Sequence, residues 1–144
     1  MLIGQYIHEL DSKKRLTLPA KWRKSLGETV VVTSGLDSSL FLFSSDEWGK
    51  IAEKLSSLSI GNSESRNFNR FFLSNAFETE IDSQGRIVVP ETLKIHAKLS
   101  KKLVLVGMHK RIEIWDEEAW NTCISLSTQN ANTVAEELSK LGVI

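Results

Sequence analysis

The 144-residue sequence has few residues of several types, and each scarcity excludes a class of protein. Its one cysteine, Cys123, can form neither an intrachain disulfide nor a cysteine-built zinc site. Two prolines and eight glycines are too few for a collagen-like or low-complexity chain. No apolar run is long enough to span a bilayer, and the amino terminus lacks the pattern of an export signal. We therefore expect a cytoplasmic protein with no membrane partner.

An excess of charge of one sign is also missing. Eighteen Lys and Arg residues balance eighteen Asp and Glu residues, so the formal net charge is zero. A protein that coats nucleic acid along its length would carry a large positive excess, because such binding depends on neutralised phosphates. The composition instead predicts a globular domain, and any nucleic-acid binding must come from a local cluster of cations.

The sequence contains a repeated motif. LDSKKRLTLP at residues 10–19 recurs as IDSQGRIVVP at residues 81–90. The identical positions, 71 residues apart, are Asp11 and Asp82, Ser12 and Ser83, Arg15 and Arg86, and Pro19 and Pro90. Weaker similarity continues to Trp48 and Trp120, so the chain is a duplicated unit. Because a unit of about 45 residues buries little surface alone, we expect the two copies to interleave their strands around a shared core.

Each copy has the same predicted order of elements. Alternating apolar residues predict a strand before each Asp, and the turn is followed by a returning strand that begins at Arg15 or Arg86. Proline then favours the start of a short helix, at 20–26 in the first copy and 91–99 in the second. The remaining predicted strands of the two copies are 28–33 and 40–43, and 103–106 and 111–115.

The segments outside the repeat are predicted to be helical. Ser44 and Glu47 form a capping box for one helix, a loop covers 59–65, and a second helix follows it. Asp116 is positioned to cap a helix that buries Trp120, Cys123 and Ile124, and a separate amphipathic piece ends the chain. The predicted organisation is a first unit at 5–48, a helical connector at 49–76, a second unit at 77–120 and a C-terminal helical segment at 121–144.

The repeated Asp-x-x-x-Arg turn is the candidate binding site. A hairpin that projects a guanidinium can place it against a phosphate or a guanine edge. Lys13 and Lys14 add two cations at the first tip, and residues 12–27 contain six cations and no acid. Further possible phosphate contacts in this stretch are Lys21, Arg23 and Lys24.

The two copies are expected to contribute unequally, because the second has Gln84 and Gly85 in place of the lysine pair and keeps only Arg86. A structural alternative is that Asp and Arg pair with each other and hold the hairpin, which is compatible with binding. One molecule with few phosphate contacts would bind weakly, so we expect an oligomer and a target with several sites.

At these residues the sequence resembles the MraZ family, whose members consist of two SpoVT/AbrB-like units. The matching segments are LDSKKRLTLPAKWR, IDSQGRIVVP, LVLVG and EIWDEEAW. The resemblance implies an α+β, mainly β fold: a duplicated swapped-hairpin β-barrel with short helices, a helical connector and a helical C-terminus. It also implies that subunits assemble into a ring, and it implies no cofactor.

The resemblance further implies a transcriptional regulator that binds double-stranded DNA in a sequence-specific manner. Its target would be short direct repeats upstream of its own division and cell-wall gene cluster, and the protein would associate with the nucleoid. Carried onto this sequence, the motif makes Arg15 the strongest DNA contact, with Lys13 and Lys14 on phosphates. Asp11 and Asp82 would shape the turns, and Arg86 would be the second copy's contact.

Two other functions are possible from the residues. An enzyme could use His8, Asp11 and Ser12, but residues along one strand and turn do not readily converge on one reacting atom. His96 and His109 have no partner at ligand spacing, and no glycine-rich phosphate loop occurs. We therefore expect neither an enzyme nor a metal site, and we see no motif for a small-molecule ligand.

The second alternative is an antitoxin-like scaffold that binds a protein partner. An exposed apolar groove could be formed by Trp48, Trp115, Trp120 and the phenylalanines Phe68, Phe71 and Phe72. The competing interpretation, which we favour, is that these aromatic side chains pack in the core and between subunits.

Overall fold

The computed structural model describes all residues, 1–144, as eight strands and five helices. The first copy of the repeat contains β1 (Leu2–Glu9), β2 (Arg15–Thr17), α1 (Ala20–Leu26), β3 (Thr29–Ser34) and β4 (Leu40–Ser44). The helices α2 (Ser45–Ser56) and α3 (Ser63–Leu73) follow. The second copy contains β5 (Phe77–Glu80), β6 (Arg86–Val88), α4 (Glu91–His96), β7 (Lys102–His109) and β8 (Ile112–Asp116), and the chain ends with α5 (Glu117–Lys140).

Strands from the two copies pair with each other. The main sheet has six antiparallel strands in the order β1-β7-β8-β4-β3-β5. Strand β1 pairs with β7 of the second copy, and the corresponding strand β5 pairs with β3 of the first copy. The two returning strands, β2 and β6, pair only with each other in a separate two-stranded ribbon. The strand order therefore has an approximate two-fold arrangement, and the predicted interleaving is confirmed.

The shared core lies between this ribbon and one face of the six-stranded sheet. Leu16 and Ile87 of the ribbon are 0% and 1% exposed and join Leu40, Leu42 and Trp22 in one cluster of 19 buried residues. Burying a side chain of this size stabilises a fold by about 1.5–3 kcal/mol. The core therefore fixes the ribbon against the sheet. The ribbon residues on either side of Leu16 and Ile87 face outward.

The opposite face of the sheet is covered by the longer helices. Phe43 and Phe72 pack with Trp48 of α2, with ring centroids 5.5–6.2 Å apart. Under α5, the rings of Trp115 and Trp120 meet edge to face at 5.6 Å. These contacts confirm core packing for Phe72, Trp115 and Trp120, whereas Trp48 and Phe71 are half-buried and Phe68 is 37% exposed. Packing of the aromatic residues between subunits remains a prediction.

The α+β class is confirmed, and several finer predictions are corrected. No pairing joins the edge strands β1 and β5, so hydrogen bonds do not close the main sheet into a barrel. The helices hold more residues than the strands, which form the centre of the fold. The predicted unit boundaries after residues 48 and 120 fall inside helices α2 and α5. The division of the chain into two units, a connector and a C-terminal segment remains a prediction.

Three helix predictions were wrong in detail. The helix predicted at 91–99 ends at His96, because Lys98 has a φ of +51°. The loop predicted at 59–65 is shorter, since the Asn62 side chain accepts from the Ser65 backbone N–H at 3.0 Å and starts α3 at Ser63. Asp116 precedes α5 but does not cap it, because its carboxylate accepts from the backbone N–H of Ser100 at 3.0 Å.

The C-terminal segment is one 24-residue helix and not two pieces. The polar stretch at its middle stays helical, and there Ser127 and Thr128 donate their hydroxyls to carbonyls one turn earlier, within the helix. Trp120 is buried, whereas Ile124 is 37% exposed, which corrects the expectation that it is buried. Beyond its first two turns α5 therefore has little packing.

Candidate nucleic-acid interface

The two hairpin turns have nearly the same hydrogen bonds. One carboxylate oxygen of Asp11 accepts from the backbone N–H of Lys13 at 2.9 Å and of Arg15 at 2.8 Å. The other accepts from Nε of Arg15 at 2.8 Å. In the second copy the carboxylate of Asp82 accepts the equivalent three bonds, each at 2.9 Å. Each aspartate therefore holds its turn closed and fixes the arginine that follows four residues later.

These hydrogen bonds also stabilise the charged form of each aspartate. The pKa of Asp11 is lowered from its ordinary value, first by the backbone N–H of Arg15 and then by the Arg15 side chain, which outweigh partial desolvation. The pKa of Asp82 is lowered in the same way by Arg86. Both carboxylates are therefore ionised near neutral pH and keep their hold on the turn.

The arginines retain unused donors. Arg15 and Arg86 bond to their aspartates through Nε, and their terminal nitrogens, Nη1 and Nη2, make no hydrogen bond within the chain. Their side chains are 31% and 25% exposed. Planar guanidinium groups with free terminal N–H donors can recognise phosphate or guanine in two-point contacts.

Both arginines lie on the outward side of the β2–β6 ribbon. Arg15 is opposite Val88, and Arg86 is opposite Thr17, while Leu16 and Ile87 between them face the core. The two arginines are thus diagonal neighbours, a relation that places such residues about 7–8 Å apart. We call this outward surface, formed by Arg15, Thr17, Arg86 and Val88, the arginine face.

Each hairpin tip is anchored to the other copy. The Lys14 carbonyl accepts from the Val89 N–H at 2.8 Å, and the Gly85 carbonyl accepts from the Leu18 N–H at 2.9 Å. The ammonium group of Lys14 also pairs with the carboxylate of Glu91 at the start of α4. That contact lowers the pKa of Glu91 and partly neutralises Lys14.

Arg23 has a structural contact that sequence reasoning missed. Its Nε and Nη2 donate to the Leu18 carbonyl at 3.1 and 2.9 Å. Its guanidinium also lies against the second turn, so closely that a Cβ on Gly85 would stand 2.0 Å from Cζ. Gly85, with a φ of +78°, occupies the repeat position of Lys14, with a φ of +59°. The glycine at this position of the second copy is the one feature of the sequence that indicates a close contact with the turn.

The other candidate cations lie in different surroundings. Lys13 and Lys21 are exposed and make no ion pair. Lys24 is also exposed but lies at the far end of α1, in a groove shared with Glu28 and Asp46. Lys13, two residues before Arg15 in the chain, therefore carries an unpaired positive charge at the tip of the first hairpin.

The residues considered for catalysis or metal binding do not converge. The carboxylate of Asp11 is occupied by its turn, and Nε2 of His96 lies 3.1 Å from the Gly35 carbonyl oxygen. The pKa of His8 is lowered, first by burial and then by the positive charge of Arg23. No three His, Cys, Asp or Glu side chains are grouped so that they could share a metal ion. None of the helices is both long and apolar enough to cross a bilayer.

Comparison with known proteins agrees with the duplication. A family model described as "MraZ protein, putative antitoxin-like" matches the chain twice, at residues 1–71 and 72–141. Proteins named transcriptional regulator MraZ are similar over almost the full length. The protein of Caldanaerobacter subterraneus subsp. tengcongensis is 44% identical over 143 residues, which cover 99% of this chain and 100% of the relative. The protein of Oenococcus oeni is 45% identical over 139 residues, which cover 96% of this chain and 97% of the relative. The chain belongs to the MraZ family.

Proposed function

We propose that this protein is a transcriptional regulator that binds double-stranded DNA through the arginine face. The observation that carries the proposal is the pair of arginines on one two-stranded ribbon, each held at Nε and unpaired at its terminal nitrogens. The printed names of its relatives, transcriptional regulator MraZ, support the same role.

The geometry of a two-stranded ribbon suits the major groove. That groove is about 12 Å wide and admits such a ribbon, whose outward side chains then reach base edges. Because Asp11 and Asp82 already fix the arginines through Nε, less side-chain freedom is lost on binding. The aspartates position the arginines and do not themselves touch DNA, since a carboxylate repels phosphate.

The first copy contributes more than the second. Lys13 adds a free cation at the first tip, whereas Gln84 stands at the same position of the second tip. Lys14 contributes less than its charge implies, because Glu91 must release it before it can contact a phosphate. We therefore rank Arg15 and Lys13 as the main contacts, Arg86 next, and Lys14, Lys21, Arg23 and Lys24 as secondary.

We further propose that copies of the chain assemble, as a ring, on direct repeats upstream of the protein's own gene cluster, in the cytoplasm at the nucleoid. Support for assembly comes from α5, where Leu126 and Val134 are 55% and 50% exposed. A helix with so little packing is marginal in water unless another surface covers its apolar side. Repeated sites would then raise the affinity of an oligomer without new contacts.

The test of this function is DNA binding by Arg15→Ala. We expect its affinity for DNA from upstream of its own gene to fall about tenfold or more, because a two-point contact to a base contributes up to about 3 kcal/mol, and about 1.4 kcal/mol corresponds to tenfold. Binding is measured by fluorescence anisotropy, and sedimentation on the same samples reports the oligomer size.

A second substitution separates contact from hairpin support. Asp11→Ala removes the turn's hydrogen bonds but keeps the guanidinium, so we expect a smaller loss of affinity than for Arg15→Ala. Lys102→Ala, which removes an exposed cation on β7, serves as the charge control and should leave binding within twofold. Unchanged binding by Arg15→Ala, or an equal loss in Lys102→Ala, would reject the arginine face as the DNA site.

A further inference from the structure

A cavity of about 280 Å³ lies on the side of the sheet away from the arginine face. Leu40 and Leu42 of β4 point into the core shared with the ribbon, so Phe41 and Phe43, which alternate with them, face the other side. These two rings and Ile51 of α2 form the apolar floor of the cavity. The site is therefore separated from the proposed DNA surface by the full thickness of the sheet.

The rim of the cavity is positively charged although the whole chain is neutral. It is lined by Lys50, Lys54, Lys110 and Arg111 and by one carboxylate, that of Glu47, and Arg111 is paired with Glu113 behind it. Lys50 is paired with Glu47 at 3.1 Å. Lys54 and Lys110 have no acidic partner, so two free ammonium groups, one from α2 and one from the turn between β7 and β8, border the same opening.

Arg111 is held in place by its surroundings. Its Nη2 lies 2.7 Å from a carboxylate oxygen of Glu113, and its Cζ lies 4.6 Å from the centre of the Phe41 ring. Glu113 is itself 9% exposed, and it accepts from Nε1 of Trp115 at 3.1 Å. The guanidinium is thus positioned over the aromatic floor before any ligand arrives, and its Nη1 makes no hydrogen bond in the chain.

We propose that this cavity binds a small anion with a flat apolar group, that is, an aromatic phosphate or carboxylate. The apolar group would lie on Phe43 and Ile51, and the anionic group would contact Lys54, Lys110 and Arg111. A few convergent polar groups around an apolar surface are typical of small-molecule sites. The volume is close to the lower end of such sites, about 300 Å³, so it suits one or two fused rings.

The probe for this site is 1-naphthyl phosphate, with inorganic phosphate and 1-naphthol as its separated halves. We expect calorimetry on the full chain to show saturable binding of one naphthyl phosphate per chain. Each half alone should bind at least tenfold more weakly, because the apolar floor and the cations act on different parts of the ligand.

The matched variants are Lys54→Glu and Lys110→Glu, with Lys102→Glu as the control. All three residues are exposed, so the substitutions leave the core unchanged, and thermal unfolding verifies that each variant is folded. We expect affinity to fall at least tenfold in the first two and to stay within twofold in the control. An absence of saturable binding, an equal loss in all three variants, or inorganic phosphate that binds as tightly as naphthyl phosphate would overturn the proposal. Exclusion of the probe because a second copy of the chain covers the cavity would also overturn it.

Discussion

At the scale of single residues, Asp11 and Arg15 combine two roles that the sequence leaves as alternatives. The side chains do pair, which is the structural interpretation, but the arginine uses only Nε for that pair. Its terminal nitrogens stay available, so the same ion pair positions a guanidinium for binding. A surface ion pair of this kind adds little stability by itself. Its effect is on the shape of the turn and the direction of one side chain.

The lowered pKa values of these aspartates predict how the hairpins respond to acid. A carboxyl group whose pKa is lower in the folded state stabilises the fold above its unfolded pKa, and this contribution is lost as the pH falls through the folded value. We therefore expect the Lys13 and Arg15 amide signals in an NMR titration to shift with a midpoint below 3.8, the ordinary value for aspartate.

The two copies supply an internal control for this titration. In Asp11→Asn the change of the amide signals on acidification should vanish at the first hairpin. It should persist at the second hairpin, which depends on Asp82. A midpoint at or above 3.8 in the unmodified chain would show that the turn does not stabilise the carboxylate.

At the scale of elements, local patterns predicted most of the fold. Helix α1 begins and ends at the predicted residues, and the predicted strands agree within one residue except β1 and β7, which are both longer. Strand β7 extends to His109 because it pairs along the full length of β1. That pairing joins residues about a hundred positions apart, and no local pattern reports it. The single helix α5 is not evident from local sequence, because the Ser, Thr and Asn residues at its middle usually favour turns over helix interiors.

The contact between α1 and the second hairpin gives a prediction at this scale. We expect Gly85→Ala to lower the free energy of unfolding by about 1–3 kcal/mol. The left-handed backbone conformation at Gly85 disfavours any residue with a side chain. The added Cβ must also displace the Arg23 guanidinium, which then loses its hydrogen bond to the Leu18 carbonyl. Denaturant unfolding followed by circular dichroism measures the loss.

A double-mutant cycle tests the role of Arg23 in this contact. In an Arg23→Ala background the displacement no longer occurs, so Gly85→Ala should cost less. Gly49→Ala is the matched control: it lies inside α2 with no atom near the new methyl group and should stabilise by about 0.5–1 kcal/mol. Equal costs of Gly85→Ala with and without Arg23 would show that the guanidinium does not rest on the turn.

At the scale of the whole molecule, the unpredicted part of the candidate site consists of contacts between the two copies. The sequence identified the turns and their cations, because aspartate and arginine recur at fixed spacing and two lysines lie between them in the first copy. It did not reveal the Lys14–Glu91 pair or the Arg23 contact with Gly85, since each joins a helix of one copy to the hairpin of the other. Interleaving determines these contacts, and it therefore also determines which cations remain free.

The same interleaving predicts that neither half of the chain folds as a monomer. In a fragment of residues 1–76, β1 and β2 lose their only neighbours in the sheets, β7 and β6, and the remaining β3–β4 pair is marginal alone. Because β3 corresponds to β7 in the repeat, two such fragments can supply each other's missing strands. We therefore expect the fragment to be unfolded when dilute and to fold as it dimerises, as followed by circular dichroism and sedimentation across a concentration series. Mixing it with residues 77–144 should restore the native spectrum, whereas a folded, concentration-independent monomer of 1–76 would show that the two copies do not depend on one core.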